Sequence, residues 1–454
     1  MEQFDVVVVG GGTAGLNAAL QIARTGRSVA LLERRAEGNS GARWVNGVLD
    51  WQYRRAGIEP ATPPERLSAG GNSWMVSPTG QHRFRITDSP VVEADMRALV
   101  HRLTADALAA GVDIRWGTTR PQLALEWGRP TSVRAIQQQA GAERTLELHA
   151  DLFVDASGRA AVLRRQVPEM AARCPDVEPA DTCAAQQLVL EVADRDGALE
   201  FVKSQGADLG DAVVALGIEG GYSTLNIRVD PTLEEVSVLT GSIPSLGFAS
   251  GAAMVKAARE LHPWMGATVF GGAGLIPLRR VYDRFTVPGL ALVGDAACQV
   301  MAAHGSGIGF GLIAGKVLAE AVEGDGDPGA EATLWQYQSR FLREFGATLA
   351  GYDAVRRMSV ALGSVGVEEL FASGVFSETL VRNGLSQRLG TLPPAQAAAA
   401  GRALAARPAI ARVVLPALAA MGTARGLYRT YPTTPDPRAW ALWRSVASRG
   451  RARS

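Results

Sequence analysis

The first fifteen residues constrain this chain more than any later segment. Residues 4–9 (FDVVVV) form a short valine-rich run, the pattern of a strand buried on both faces. Gly10-Gly11-Gly12-Thr13-Ala14-Gly15 follows, then an alanine-rich helical stretch (LNAALQIARTG), then a second apolar run (SVALLE) ending in Glu33. Together they make a complete βαβ unit with Gly10-x-Gly12-x-x-Gly15 at its first turn. In such a unit Gly10 permits the tight turn, Gly12 lets the backbone approach a pyrophosphate, and Gly15 lets helix and strand pack closely. The phosphate charge would rest on unpaired N–H groups at the positive end of the helix. Glu33, 18 residues past Gly15, stands where an acceptor for ribose hydroxyls belongs. Glycine-rich turns also arise for structural reasons, but here every element falls in order. The unit predicts a bound dinucleotide.

At 454 residues the chain is long for a single core, so two or three structural units are expected. Its 46 basic and 45 acidic residues leave a net charge of +1, which gives no overall pull toward nucleic acid. Cys174, Cys183 and Cys298 are too widely spaced for a metal site or a disulfide framework, and the five histidines are scattered. The start lacks a basic segment followed by an apolar one, and no uninterrupted apolar run reaches 18 residues. A cytoplasmic protein without a signal peptide, a transmembrane helix or a metal is therefore expected.

Along the chain, residues 38–50 read as a glycine-punctuated loop and 57–90 as a Pro/Gly/Ser-rich excursion with short strands such as HRFRI. Residues 151–159 (DLFVDASGR) and 288–295 (PGLALVGD) return to the buried-strand pattern. Between about 180 and 245, period-two alternation in AAQQLVLEVAD, YSTLNIRVD and EVSVLTGSIP argues for an antiparallel sheet. Beyond about 332 the pattern is helical and alanine-rich. The expected class is α/β, with a discontinuous cofactor domain (1–60, 91–175 and 268–325). A substrate domain (61–90 and 176–267) is inserted into it, and a helical region (326–454) follows.

Two later motifs bear on which dinucleotide binds. Asp155-Ala156-Ser157-Gly158-Arg159 and Gly294-Asp295-Ala296-Ala297 each end a buried strand with an aspartate beside small residues. Either aspartate alone could simply cap the next helix. A dinucleotide carrying a ribityl chain, however, needs a second carboxylate for its sugar hydroxyls and small residues where backbone lies flat against it.

The three motifs in this order resemble the FAD-dependent class that includes aromatic hydroxylases, flavin halogenases and geranylgeranyl reductases. The resemblance covers residues 1–325 and implies a Rossmann-type, glutathione reductase-like FAD domain. It implies that Gly10, Gly12, Thr13, Ala14 and Gly15 hold the ADP pyrophosphate, with Glu33 and Arg34 at the adenosine. Asp155 and Gly158 would lie at the cofactor and NAD(P)H side, and Gly294 and Asp295 at the ribityl chain or pyrophosphate. Gly305, Gly307 and Ile308, in His304-Gly305-Ser306-Gly307-Ile308-Gly309, would lie against the flavin ring. Arg97, in DMRALVHRL, matches the arginine that reaches the FAD phosphates in this class, and Arg43 lies in the loop that runs near the flavin. GGAGLIPLRRVYDRFTVPGLALVGDAACQV is most similar to the geranylgeranyl reductase-like branch.

Departures narrow the chemistry. The halogenases carry a lysine in the N-terminal third and a Trp-x-Trp-x-Ile-Pro segment; this chain has no lysine before Lys203 and reads Gly220-Gly221-Tyr222 where that segment would fall. Halogenation is not expected. The Tyr/Trp-x-Phe-Pro signature and loop cysteine of prenyl-reducing members are also absent. That loop reads Ser40-Gly41-Ala42-Arg43-Trp44-Val45-Asn46-Gly47. Met301-Ala302-Ala303-His304 replaces the proline usual before the flavin loop of the hydroxylases. His304 is thus a candidate proton donor or orienting group, or equally a structural histidine. Arg43 is a second catalytic candidate. Trp44, Asn46, Cys183, Tyr222 and Asn226 are candidate pocket residues, with core packing the competing role.

The expectation is an FAD-dependent oxidoreductase, reduced by NAD(P)H and acting on a largely apolar small molecule by monooxygenation or carbon–carbon redox. Reduction of a prenyl chain is the alternative within that class. A non-catalytic flavoprotein resembling prenyl-protein escort carriers is the alternative outside it. The C-terminal helices are expected to cover the pocket, with a membrane surface as another place for them to bind.

Overall fold

The computed structural model describes residues 2–69, 71–139 and 141–451. Its first strand, β1 (Glu2–Val9), is central because Val6 to Val9 are buried, leaving no polar face to present to water. It pairs in parallel with β2 (Val29–Leu32) on one side and with Ala142–Asp155 on the other. Asp113–Arg115 and Leu290–Leu292 extend the parallel run outward, and Thr118–Glu126 and Arg129–Gln139 add an antiparallel flap. Parallel neighbours need crossovers, and α1 (Thr13–Ala23) supplies the first. It packs on Ile308–Val322, and Asn17 Nδ2 ties the two helices by donating to the Leu312 carbonyl oxygen at 2.7 Å.

A second sheet has seven strands, in the spatial order Met265–Pro277, Thr182–Val192, Glu235–Ser242, Thr224–Val229, Ala212–Leu216, Ser73–Val76 and Arg83–Ile86. Every neighbouring pair is antiparallel except Ala212–Leu216 with Ser73–Val76. The excursion at 57–90 thus lends two strands to a sheet built mostly from residues 182–277. Period-two alternation sorts its faces. Leu190, Ile227, Val229, Val236 and Val238 pack with Phe201, Val202 and Val255 of the helices Arg195–Ser204 and Gly251–Leu261. Residues in the opposite phase, among them Ala185, Gln187, Asn226, Arg228 and Leu239, face a cavity between the two large sheets. A third sheet of Val45–Leu49, Val91–Asp95 and Arg66–Ala69 stands beside it.

The C-terminal third is helical. Trp335, Tyr431 and Trp443 join the core of the parallel sheet, so these helices are packed onto the fold. The long helix Ala347–Ala372 is broken at Gly363, whose φ of 61° and ψ of −175° are not helical. Pro408–Arg429, 22 residues with a mean hydropathy of 1.3, is long and apolar enough to cross a membrane by length and composition, and 28% of its apolar window is buried in the protein. Counting uninterrupted apolar runs passes over this helix because Arg412, Thr423 and Arg425 interrupt it.

Candidate active site

The glycine turn after β1 opens onto a cavity of 1390 Å³ that runs between the large sheets and under the C-terminal helices. Gly10 adopts φ +113°, and a side chain there would strike the Ala156 carbonyl. A Cβ on Gly12 would meet no atom within 4 Å, because it would point into the cavity. No side chain caps α1 at Gly12, so its first N–H groups are left for a ligand. Gly15 faces inward instead, where a side chain would collide with the Gly10 carbonyl. Glu33 accepts from Gly11 N at 2.6 Å and from Arg35 N at 2.8 Å, which fixes its carboxylate beside the turn. Arg34 lines the cavity next to it, and Thr13 and Ala14 line it below.

Across the turn, Gly294 and Asp295 follow Leu290–Leu292 into the same cavity. The Asp295 carboxylate has no hydrogen-bond partner among the described residues, and burial pushes its pKa up to about 6. Half-buried and open to the cavity, its oxygens are free to accept from a ligand's hydroxyl groups. Next to it the loop His304 to Ile308 leads into the helix Ile308–Val322, which again begins without a side-chain cap. Gly305 takes φ +65°, and a Cβ on Gly307 would lie 3.1 Å from Asp295 Oδ1. The loop is braced from behind. Gln387 Nε2 donates to Ser306 Oγ at 3.1 Å, and Gln52 Nε2 donates to Gln387 Oε1 at 2.9 Å.

His304 is open to the cavity yet far from bulk solvent, and this burial pushes its pKa down to about 4. At neutral pH this favours the uncharged imidazole, which can orient a group by hydrogen bonding. The Tyr222 hydroxyl and the Cys183 thiol line the same region; burial raises the first well above its ordinary value and the second to about 12. Both stay protonated at physiological pH. Trp44 lies across the strand Met265–Pro277, where side chains on Gly272 or Gly274 would touch its ring. Asn46 and Asn226 complete the wall, and the Asn226 Oδ1 is buried without a partner.

Three expected cofactor residues face elsewhere. Asp155 is fully buried and accepts from Ser157 N, Ser157 Oγ, Leu163 N and Arg164 N at 3.1, 2.5, 2.9 and 2.8 Å. It shapes the turn that brings Ala156, Ser157 and Gly158 to the cavity and does not touch the cavity itself. Arg97 forms a two-pronged pair with Asp95, its Nη2 2.6 Å from Oδ2, and its guanidinium lies 3.5 Å from the Phe270 ring centre. Arg43 donates to the Gly38 carbonyl oxygen at 2.6 Å and does not line the cavity. Sequence reasoning missed the far end of the cavity, lined by Tyr352, Met358, Leu370, Phe376, Leu404 and Met421 of the C-terminal helices.

Comparison with known proteins sharpens this picture. Residues 5–204 match the FAD dependent oxidoreductase family. Digeranylgeranylglycerophospholipid reductase 2 of Methanopyrus kandleri is 30% identical over 367 residues, 76% of this chain and 84% of that protein. The chain belongs to the geranylgeranyl reductase-like branch of the FAD-dependent oxidoreductases. A second relative of this oxidoreductase, digeranylgeranylglycerophospholipid reductase 2 of Methanothermobacter thermautotrophicus, is 28% identical over 82% of this chain and 91% of its own length. Among solved structures, a geranylgeranyl bacteriochlorophyll reductase-like protein from Thermoplasma acidophilum shares the fold, with a TM-score of 0.71 and 17% identity over 92% of this chain and all of that one. A myxobacterial chondrochloren halogenase aligns at a TM-score of 0.58 and 16% identity, covering 99% and 98% of the two chains. The oxidoreductase is an enzyme, so the escort-like carrier reading falls. The open Gly12 turn, the unpartnered Asp295 and the two uncapped helix starts fit FAD.

Proposed function

We propose that this oxidoreductase saturates carbon–carbon double bonds in a long apolar, isoprenoid-like substrate, with NAD(P)H as transient reductant. The observation that carries the proposal is the lining of the cavity. Beyond the cofactor residues and the loop at His304 the cavity is lined by apolar side chains of the C-terminal helices, among them Met358, Leu370, Phe376, Leu404 and Met421, which suit an apolar chain. The names of the curated relatives support the same substrate class. In this reading the parallel-sheet segments (1–60, 91–175 and 268–325) hold the cofactor. The seven-stranded sheet (61–90 and 176–267, continuing to Pro277) and the helices from 326 onward enclose the substrate.

Bound FAD supplies hydride transfer; the protein supplies placement, water exclusion and a proton. The Gly10–Gly12 turn and the start of α1 would hold the pyrophosphate, Glu33 and Arg34 the adenosine ribose, and Asp295 would accept from the ribityl hydroxyls. Gly305, Gly307 and Ile308 would leave room for the ring beside the backbone. Adding hydride to one alkene carbon requires a proton at the other. Tyr222 and Cys183, both protonated and on the substrate side, hold it, while neutral His304 orients the reacting groups by hydrogen bonding. The reductant has no second dinucleotide fingerprint in the sequence and so docks transiently. The test is anaerobic incubation of the flavin-loaded enzyme with a geranylgeranyl lipid and dithionite, followed by mass spectrometry. Gain of two hydrogens per reduced double bond supports the proposal. Unchanged lipid there, with an oxygenated product under NADPH and air, overturns it.

A further inference from the structure

The net charge of +1 conceals a strong segregation. Residues 379–454 contain twelve arginines, no lysine and a single acid, Asp436, for a net +11 against +1 for the whole chain, so residues 1–378 carry −10. Among the described residues only Arg382 of this basic set pairs with an acid, Glu378. Arg402, Arg407, Arg412, Arg425 and Arg429 of this set lie on or between the two helices beside the far end of the cavity, and none of the five is paired with an acid among the described residues.

These two helices form a hairpin that the protein does little to bury. Pro394–Ala405 buries only Leu404, although an isolated twelve-residue helix is marginal in water. Pro408–Arg429 packs one stripe, Ile410, Val414, Ala417, Ala424 and Tyr428, and turns its other side outward. On that outer side Leu415 is 53% exposed and Leu418 46%, with Pro416, Ala419 and Gly422 around them and Arg412 and Arg429 toward the ends. An apolar centre bracketed by arginines is the pattern of a helix lying in the boundary of an anionic bilayer. The buried stripe along the same helix, and the seating of Tyr428 in the main core, argue against its leaving the fold to span the membrane. Nucleic acid would use the arginines but leaves the exposed leucines without a partner.

The cavity ends under this hairpin. Ala397, Leu418 and Gly422 both line it and are exposed, so the channel and the basic apolar face share residues. We propose that the hairpin 394–429 seats the enzyme on an anionic lipid surface and that the distal end of the cavity receives its substrate from that side. The docking stands on charge and exposure alone; the entry route rests on the apolar-chain reading above.

The experiment is co-sedimentation of the full flavin-loaded protein with vesicles of phosphatidylcholine alone or mixed with phosphatidylglycerol. Binding to the anionic vesicles is expected to be at least about tenfold tighter and to weaken as salt rises. The double variant Arg402→Glu/Arg412→Glu and the single variant Leu415→Glu should each lower it by about tenfold or more, while flavin content and thermal midpoint stay unchanged. None of the three residues lines the cavity. Equal binding to both vesicle types, or none to either, overturns the proposal. So does binding that is lost on charge reversal, survives Leu415→Glu and is competed away by duplex DNA, which would mark a polyanion site. Turnover of a geranylgeranyl lipid should fall in the variants when the lipid is in vesicles and persist when it is in detergent. If the parent enzyme binds vesicles but reduces no lipid in either format, the substrate reading fails and the docking surface stands.

Discussion

Replacing Asp295 by Asn should move the stability of the empty and the flavin-loaded protein in opposite directions. The carboxyl is pushed by burial to about 6, against an ordinary value of 3.8, and no described donor compensates it. Below about pH 4 the group is protonated folded and unfolded, so it costs nothing. Between pH 4 and 6 the unfolded chain releases the proton while the folded chain keeps it, and stability falls. Above pH 6 the whole penalty is present, at most about 3 kcal/mol for a shift of this size. Asn, like the protonated carboxyl, leaves a neutral polar group in the site, so the net gain at pH 7 is the ionisation penalty itself, at most about 3 kcal/mol. With FAD bound, the ribityl hydroxyls would donate to the carboxylate and remove the penalty. Asn then loses a charge-assisted acceptor, and affinity should drop by about ten- to thirtyfold. The assay is thermal unfolding of apo- and holoprotein at pH 4 and pH 7, paired with flavin titration. The variant should melt a few degrees higher than the parent without flavin at pH 7, equally at pH 4, and lower with flavin. A shift of the same sign in both states, or an apo-protein gain that ignores pH, would refute the assignment of Asp295 to the ribityl chain.

Other outcomes follow from the same geometry. Gly12→Val projects a branched side chain into the cavity, where a Cβ now meets nothing, and should give colourless protein on purification; full flavin content would show that the turn holds something else. Because burial lowers His304 to about 4, turnover between pH 6 and 8 should carry no inflection that His304→Gln removes. His304→Gln should retain more activity than His304→Ala, which loses about tenfold to a hundredfold with FAD still bound. Arg97→Ala should leave flavin affinity within about twofold, as its guanidinium is already committed to Asp95; a loss of tenfold would restore it to the phosphates. Cys183, raised to about 12, should resist iodoacetamide at pH 8 in the native protein and react on unfolding.

What the sequence revealed was local. The turn at Gly10–Gly15 and the carboxylate at Glu33 are legible because a phosphate-binding βαβ unit is specified by contiguous residues at fixed spacing. The alternation in 180–245 showed an antiparallel sheet for the same reason, but not the strands at 73–76, 83–86 and 265–277 that complete it. Arg97 and Asp155 misled because each has a competitor two residues away: Asp95 captures the guanidinium, and Ser157 turns the aspartate inward. An aspartate followed two positions later by serine is itself the signal for such a turn. The Gly272 and Gly274 pair, on one face of a strand, could have announced a ring lying flat there, which proves to be Trp44. The distal cavity had no such signal. Its lining comes from helices that are rich in alanine and differ little between faces, so which side turns inward is decided by packing against distant segments.

The most direct test of the account is an anaerobic single turnover. The flavin-loaded enzyme is reduced to the colourless state, freed of excess reductant and mixed with a geranylgeranyl lipid in detergent. Return of the yellow absorbance without oxygen, in step with saturation of the lipid, is the predicted result. A flavin that stays colourless with the lipid and regains its colour only when air is admitted would contradict double-bond reduction as the function of this enzyme.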